Sequence, residues 1–257
     1  MKVLWLFAHP EHRSLNGALR DVGLRSLKAH GHQYRESDLY AMGWNPVVTG
    51  ADFGHDGVDR LRVAAASKGA YLDQTLSDEV LVEQEKLAWA DTVVLQFPLW
   101  WYGMPAILKG WFDRVFVKGF GYGVIDRRTG RTLRYGEGKL AGRRAMIIVT
   151  AGAPEATIGP RGVNGDIDQL LFPLTHGTLW YSGITVLPPL VVSGADRLPD
   201  LEFTRVSQEL ERRLLSVPTA EPVPFRYQNC GDYDEDLVLR PDVARCETGL
   251  AAHIAGN

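Results

Sequence analysis

Short runs of apolar residues alternate along the chain with longer stretches whose apolar positions recur every three or four residues. The continuous runs predict strands buried on both faces of a sheet. Together with one more polar strand, these predicted strands cover 3–8, 33–38, 92–97, 145–150 and 184–190. The amphipathic stretches between them predict helices on both faces. The pattern therefore indicates an α/β protein with a doubly wound parallel five-stranded sheet.

The helical stretches have recognisable starts and stops. They are predicted from Leu15 to a stop at Gly31, from Ser77, from Pro105 as a first helical residue, across 166–181 with a break at Pro173, and over 201–215.

The rest of the chain has no clear period. Residues 41–76 are interpreted as an insertion that contains some helix, and the turn signal DRRTGR predicts a hairpin within 120–138. We assign 1–215 to one domain and 216–257 to a C-terminal extension, which is expected to be either an arm packed on a partner chain or partly disordered.

Composition excludes several classes of function. The net charge of −3 gives no electrostatic reason to expect binding to nucleic acid or to an acidic membrane surface. The only cysteines, Cys230 and Cys246, form neither a disulfide framework nor a zinc motif, so we expect free thiols in a reducing compartment. No segment reaches the roughly 20 apolar residues of a membrane span. The apolar run at 3–8 is also short for a signal peptide, so a cytoplasmic protein is expected.

Three loops that directly follow buried strands carry the unusual residues. Doubly wound sheets bind ligands beyond the carboxyl ends of their strands, so these loops are the candidate site. In the first loop, HPEHRSLNG, Ser14 or Asn16 is positioned to cap a helix whose N-terminus favours a phosphate. In another, TAGA at 150–153, small side chains let backbone N–H groups approach a ligand closely.

The remaining loop, 98–103, places Trp100, Trp101 and Tyr102 in succession. Three consecutive side chains cannot all point into a core. One alternative is that the tryptophans complete the core beside the next helix. The other is that they form a platform for a flat ligand, where stacking adds roughly 0.5–1.5 kcal/mol per pair. A phosphate anchor, an aromatic platform and a glycine-containing edge together fit a flavin.

The segment QFPLWWYGMPAILKGWFDRVF resembles the signature of the NAD(P)H quinone dehydrogenases of the flavodoxin-like fold. AHPEHRSLNGAL, ESDLYAMGWNP and GVNGDID are also similar to this family, and the matches follow the same order across most of 1–215. The resemblance, to a bacterial-type member, implies a flavin at the strand ends. It also implies a homodimer in which each site is completed by the other subunit.

The resemblance assigns residues to three parts of such a site. The flavin phosphates and ribityl chain would meet His9, Ser14, Leu15, Asn16 and Gly17. The isoalloxazine ring would be held by Pro98, Leu99, Trp100, Trp101 and Tyr102. Its pyrimidine edge would meet Thr150, Ala151, Gly152 and Ala153. The residues expected to position the substrates and the reacting ring are Trp101, Tyr102, Tyr122 and Asn164.

This chain departs from the mammalian relatives at three positions. Read without gaps, Ile158 and Asn164 replace a Tyr and a His beside the flavin, and Val124 replaces a second pocket tyrosine. Asn164 can hydrogen-bond a flavin carbonyl but cannot gain a proton near neutral pH.

The implied reaction is a ping-pong transfer of a hydride from NADH or NADPH to the flavin and then to a quinone. FAD is expected rather than FMN, because the chain length, the insertion at 41–76 and the long tail resemble FAD-binding members. Two other functions are left open: a flavodoxin-type electron carrier and an ancillary regulatory flavoprotein of a membrane transporter. A net charge of −3 and a crowded aromatic pocket disfavour the carrier.

Overall fold

The computed structural model describes residues 1–256, which form a parallel sheet between two layers of helices. The main sheet contains β1 (Lys2–Phe7), β2 (Gln33–Asp38), β3 (Thr92–Pro98), β6 (Arg144–Thr150), β7 (Thr185–Val186) and β8 (Leu190–Val192). A separate antiparallel pair contains β4 (Val124–Ile125) and β5 (Thr132–Leu133). The helices are α1 (Leu15–Ala29), α2 (Val63–Asp73), α3 (Asp78–Trp89), α4 (Ala106–Val115), α5 (Ile167–Leu174) and α6 (Asp200–Ser216).

Strand β1 shows how the sheet separates two cores. Val3, Trp5 and Phe7 pack with residues of α1 and α6, whereas Leu4 and Leu6 pack with residues of α3 and α4. Side chains alternate along a strand, so a strand that is apolar at every position must be covered on both faces. The continuous apolar runs in the sequence are therefore explained by helices on both sides.

The strand order is β2-β1-β3-β6-β7, with β8 also paired to β6. All of these pairs are parallel, so the predicted doubly wound α/β fold is confirmed. The single strand predicted at 184–190 is wrong in its bounds. Thr185 pairs with Arg144, and Leu190 pairs with Ile148 further along β6. Pro188 and Pro189 separate the two segments because proline has no N–H to donate to a ladder.

Two predicted helix details differ in the structure. Pro105 has extended backbone (ψ 150°) and precedes α4 rather than opening it. The stretch at 166–181, expected to kink or to form two short helices at Pro173, does not contain two separate α-helices. Instead, α5 continues directly into a π-helical turn, Thr175–Trp180. The Thr178 hydroxyl donates to the Pro173 carbonyl at 2.9 Å, so a side chain satisfies a backbone acceptor where the α-helix gives way to the π-helical turn.

The described part of the tail folds back onto the domain. Phe225 is buried in the core, and it forms an antiparallel bridge with Ile254. Arg226 donates to the Ala252 carbonyl at 3.0 Å and pairs with Asp232 at 2.7 Å. No helix among residues 1–256 is both long and apolar enough to cross a membrane.

A buried charge cluster joins α4 to the 41–76 region. Arg114 is 3% exposed, and its guanidinium donates to Asp52 Oδ1 through Nε at 3.0 Å. It also pairs with Glu79, donates to the Asn45 carbonyl at 2.8 Å, and lies over the Trp44 ring. Removing one partner would leave a carboxylate buried without compensation.

We expect Arg114→Met to lower the free energy of unfolding by about 3–5 kcal/mol, because Asp52 would remain buried and unpaired. Urea denaturation measures the change. Lys109→Met is the matched control on the same helix, since Lys109 pairs with Asp113 at the exposed surface. Its effect should be within about 0.5 kcal/mol, the range of exposed ion pairs. Equal effects from the two substitutions would contradict the proposed importance of the cluster.

Candidate active site

The carboxyl ends of β1, β3 and β6 bring the three unusual loops together. A cavity of about 170 Å³ lies between them. It is lined by His9, Ser14, Leu15, Asn16, Pro98, Leu99, Trp100, Thr150 and Gly152, together with Ala195 and Asp196. Asn16 and Thr150, which are 134 positions apart in the sequence, therefore meet at one edge of the sheet, where parallel folds bind ligands.

The first loop presents the N-terminus of α1 to this cavity. Ser14 caps the helix, because its hydroxyl accepts from the Gly17 N–H at 3.2 Å. The same hydroxyl donates to the Glu11 carbonyl at 2.6 Å. Within the described chain, the N–H groups of Leu15 and Asn16 donate no hydrogen bond. The positive end of the helix dipole and these free donors form an anion site.

The acidic side chain of this loop is already paired. Glu11 accepts hydrogen bonds from the Arg13 side chain and backbone, and this lowers the pKa of Glu11 to about 2. The carboxylate is therefore held by Arg13 rather than opposing an anion at the helix N-terminus.

A chain of buried hydrogen bonds ties the start of α1 to the central strands of the sheet. Trp5 Nε1 donates to Gln96 Oε1 at 3.0 Å, and Gln96 Nε2 donates to the Asn16 carbonyl at 2.7 Å. Asn16 Nδ2 then donates to Thr150 Oγ1 at 2.7 Å. These residues belong to β1, β3, α1 and β6, so the bonds join one helix to three neighbouring strands. Asn16 Oδ1 is buried without a partner in the described structure.

The aromatic turn is exposed and strained. Trp101 and Tyr102 have φ of 50° and 59°, and the Gly103 N–H donates to the Trp100 carbonyl at 3.1 Å. Two successive residues with positive φ are uncommon outside glycine and cluster at functional sites. Trp101 is 97% exposed, and Trp100 and Tyr102 are each 44% exposed. The tryptophans therefore do not complete the core, in contrast to the fully buried Trp111 of α4.

The third loop is tied to the loop after β8. The Ala151 N–H donates to the Val192 carbonyl at 2.9 Å, and the Gly194 N–H donates to the Ala153 carbonyl at 3.0 Å. A Cβ atom on Gly152 would lie 2.7 Å from an Asp196 carboxylate oxygen, so a larger residue there would require the Asp196 side chain to move.

The matching sequence model is that of the flavodoxin-like fold, which covers residues 1–214. A ribosyldihydronicotinamide dehydrogenase-like protein from Penicillium crustosum is 47% identical, over 91% of this chain and 87% of that protein. NAD(P)H dehydrogenase (quinone) 1 from Rattus norvegicus is 35% identical, over 94% of this chain and 87% of that protein. The chain belongs to the flavodoxin-like quinone reductase family. The relatives confirm the expected enzyme class, an NAD(P)H dehydrogenase (quinone).

A solved structure of a candidate quinone reductase from Klebsiella pneumoniae supports the same assignment. It is 49% identical to this chain, covers 99% of it and 100% of its own length, and superposes with a TM-score of 0.95. The architecture described above, including the tail, therefore extends over the full length of that quinone reductase.

Two of the predicted site residues, Tyr102 and Asn164, contact each other directly, and Asn164 also contacts a residue that was not predicted. The Tyr102 hydroxyl donates to Asn164 Oδ1 at 2.9 Å. Asn164 Nδ2 donates to Thr157 Oγ1 at 3.1 Å. Ile158 is buried. Thr157, which was not among the predicted site residues, is thus the second side chain that contacts Asn164.

Several predicted residues lie away from the cavity lining. Tyr122 follows α4 and forms a backbone bridge with Lys118. Among the described contacts, no hydrogen bond or ring contact joins Tyr122 to the aromatic turn. Ala151 is buried and Gly17 packs against the His12 carbonyl, while Trp101, Tyr102 and Ala153 stand outside the 170 Å³ space.

Ala195 and Asp196 line the cavity but were not predicted from the sequence. They follow β8, whose end lies on the same edge of the sheet as the ends of β1, β3 and β6. The sequence signal was the small-residue stretch SGAD directly after an apolar strand. The predicted strand ended at residue 190, so the loop after it was expected to begin there. SGAD was therefore not recognised as the loop that directly follows a strand.

The residues present fit a flavin. The free N–H groups at the start of α1 suit phosphate, and the exposed rings suit the isoalloxazine system. A Cβ atom on Gly17 would lie 1.7 Å from the His12 carbonyl oxygen, so the loop closes against the helix only with glycine at this position. Residues 1–256 contain no group of three His, Cys, Asp or Glu side chains arranged to hold a metal ion.

We expect Trp101→Ala to change the free energy of unfolding by less than about 0.5 kcal/mol, because surface substitutions rarely cost more. Trp111→Ala is the matched control, and it should cost about 3–5 kcal/mol since that ring is fully buried. Chemical denaturation followed by circular dichroism measures both. A large loss for Trp101→Ala would restore the interpretation that the turn belongs to the core.

Proposed function

We propose that this chain is a flavin-dependent NAD(P)H:quinone oxidoreductase that takes a hydride from NADH or NADPH and delivers it to a quinone in a ping-pong cycle. One observation carries the proposal. An anion-binding helix N-terminus, an exposed aromatic turn and a close-approach glycine meet at one edge of a parallel sheet. No side-chain nucleophile is needed, because a bound flavin supplies the hydride chemistry.

The chain's own residues bind and orient the cofactor. His9 and residues 14–17 hold the phosphates and ribityl chain at the start of α1. The aromatic turn holds the ring system, and residues 150–153 border its polar edge through backbone groups. The hydrogen bond of the Tyr102 hydroxyl to Asn164 orients that ring before a ligand arrives, which lowers the entropy lost on binding.

Tyr102 and Asn164 position the reacting part of the site. Their hydrogen bond leaves Asn164 oriented by two partners, Tyr102 and Thr157. Negative charge on a bound reduced flavin would then be met by the Asn164 amide, which Tyr102 orients, rather than by a titrating group. The rate of a turnover step that depends on this pair should therefore show no ionisation near neutral pH in its pH profile.

A second copy of the chain completes the slot. Trp101 is almost fully exposed, and Tyr122 stands apart from the turn within one chain. In a homodimer, Tyr122 of the partner subunit would face the aromatic turn, and both rings would position the donor and the quinone. Sedimentation velocity should give a species of two chains, and a monomer at assay concentration would contradict this arrangement.

FAD suits the site better than FMN. A further cavity of about 380 Å³ lies at the same edge of the sheet, between 155–160 and the segment from Val191 to Val206. Its walls include Leu198 and Val206 as well as Glu155 and Glu202. The loops 150–155 and 191–198 line both this cavity and the smaller one, so the adenosine half of FAD has space next to the phosphate site.

The protein purified with its flavin should be yellow, and NADH or NADPH should bleach it without oxygen. Adding a benzoquinone should restore the colour, because the quinone reoxidises the site. Ribosyldihydronicotinamide, the donor in the name of the Penicillium relative, should be compared in the same assay. Rapid bleaching by any of these donors and recolouring without a protein partner exclude the electron-carrier alternative. Absence of bleaching with all three donors would contradict the proposed function.

Gly17→Ala should lower the flavin retained per purified chain by about tenfold, since a clash at 1.7 Å must displace the phosphate loop. Gly69→Ala is the matched control, because a Cβ atom there meets nothing within 4 Å. Absorbance at the flavin band and circular dichroism separate loss of binding from loss of fold. The flavin released from the parent protein is identified by chromatography, where recovery of FMN alone would contradict the choice of FAD.

A further inference from the structure

The loop between β1 and α1 is held by a side-chain contact that lies outside the cavity described above. We name residues 9–17 the phosphate loop. His12 Nε2 lies 2.7 Å from Asp38 Oδ2, at the carboxyl end of β2. Nε2 must carry a hydrogen there, because two acceptor atoms would not approach so closely. No other polar contact of the His12 side chain occurs within residues 1–256.

The backbone of His12 lies against the first turn of α1. A Cβ atom on Gly17 would lie 1.7 Å from the His12 carbonyl oxygen and 2.5 Å from its carbonyl carbon. The neighbouring Glu11 carbonyl accepts from the N–H of Ser14 at 3.2 Å and from its hydroxyl at 2.6 Å. His12 therefore contacts the helix N-terminus through its backbone and β2 through its side chain. A shift of the His12 side chain would disturb the turn that presents the free N–H groups of α1.

The His12 ring also packs on the last residue of β1. Its centroid lies 6.1 Å from that of Phe7, and the two rings are inclined by 62°. Phe7 is fully buried and stands opposite Asp38 in the pairing of β1 with β2. The Arg20 guanidinium carbon lies 4.8 Å from the centroid of the same Phe7 ring. His12 and Arg20 thus share one aromatic neighbour and one carboxylate.

The Asp38 carboxylate is fixed without His12. Its side chain is 11% exposed. Oδ1 accepts from the Ala41 N–H at 3.0 Å, and Oδ2 accepts from Arg20 Nη1 at 3.2 Å. The His12 side chain is 50% exposed, so the carboxylate is the fixed member of the pair and the imidazole is the member free to move. Asp38 therefore provides an anchor on the sheet for the phosphate loop.

Arg20 alone does not satisfy the acidic groups around it. It pairs with Asp21 at 3.0 Å and lies 3.6 Å from Glu36 Oε1, in addition to its contact with Asp38. Glu36 Oε1 is buried without a hydrogen-bond partner among the described residues. Burial, opposed by Arg20, raises the pKa of Glu36. One guanidinium group faces three carboxylates, so Asp38 benefits from the second donor that His12 supplies.

We propose that His12 is a positioning residue whose contact with Asp38 holds the phosphate loop in the conformation that binds a flavin phosphate. The inference rests on the proposed function and adds one determinant of flavin affinity to it. A loop that is held before binding loses less entropy when the phosphate arrives. Without the contact, only a fraction of the molecules would present the helix N-terminus correctly, and the apparent affinity would fall by that fraction.

The test compares FMN with riboflavin, which lacks the phosphate, by fluorescence titration of the whole chain freed of flavin. His12→Phe keeps a ring against Phe7 but removes the nitrogen that faces Asp38. We expect it to weaken FMN binding about fivefold, near the upper range for a partly exposed pair, and to leave riboflavin binding unchanged. His30→Phe is the matched control, because His30 is exposed at the other end of α1. It should change neither dissociation constant.

Asp38→Asn separates positioning from a simple effect of charge. Asparagine has nearly the same size, and its carbonyl can still accept from Ala41. If the pair positions the loop, Asp38→Asn also weakens FMN binding, and adding His12→Phe costs less than about twofold more because the two residues act together. If Asp38 acted through its charge alone, its removal would strengthen the binding of an anion.

Three results would overturn the proposal. They are stronger FMN binding in Asp38→Asn, unchanged FMN binding in His12→Phe, and equal losses of FMN and riboflavin binding in His12→Phe. Circular dichroism of each variant verifies that the fold is retained. Every readout is a binding constant, so parent protein that binds FMN but is not bleached by any donor would contradict the proposed function alone.

Discussion

The buried hydrogen-bond chain from Trp5 through Gln96 and Asn16 to Thr150 is the interaction on which the site depends. Sheet hydrogen bonds align β1, β3 and β6, but they do not fix the loops beyond the strand ends. These side chains fix the start of α1 against the strand ends, because each donor is buried and would lose its partner if the helix shifted. The N-terminus of α1 is thereby held against the ends of β3 and β6, from which the aromatic turn and the glycine-containing loop begin.

The same stretch of sequence contains scaffold and site side by side. Trp111 and Phe112 of α4 lie in the hydrophobic core, where removing either ring would leave a cavity. A few residues earlier, Trp101 has almost no contact with the chain and a strained backbone. Aromatic content alone does not distinguish these roles. The difference is set by position, since one ring follows a helical stripe and the other follows the end of a strand.

Sequence reasoning located the sheet, its helices and the three loops because continuous apolar runs and helical stripes are strong local signals. It missed Asp196 because two prolines divide a strand that the apolar pattern shows as continuous. It did not find Thr157, whose hydroxyl contacts Asn164, because a loop without period does not show which side chains meet. The packing of the tail against the β4–β5 hairpin was beyond sequence reasoning, because residues 131–135, 172–176 and 228–253 meet only through tertiary contacts.

The π-helical turn at 175–180 has a consequence for chain length. A π turn holds one residue more than an α turn, and each helical residue adds about 100° of rotation and 1.5 Å of rise. Deleting one residue there would restore a regular helix but rotate Phe172 away from the rings it now faces. Natural variants of this segment should therefore tolerate exchanges of side chain more readily than a gain or loss of a single residue.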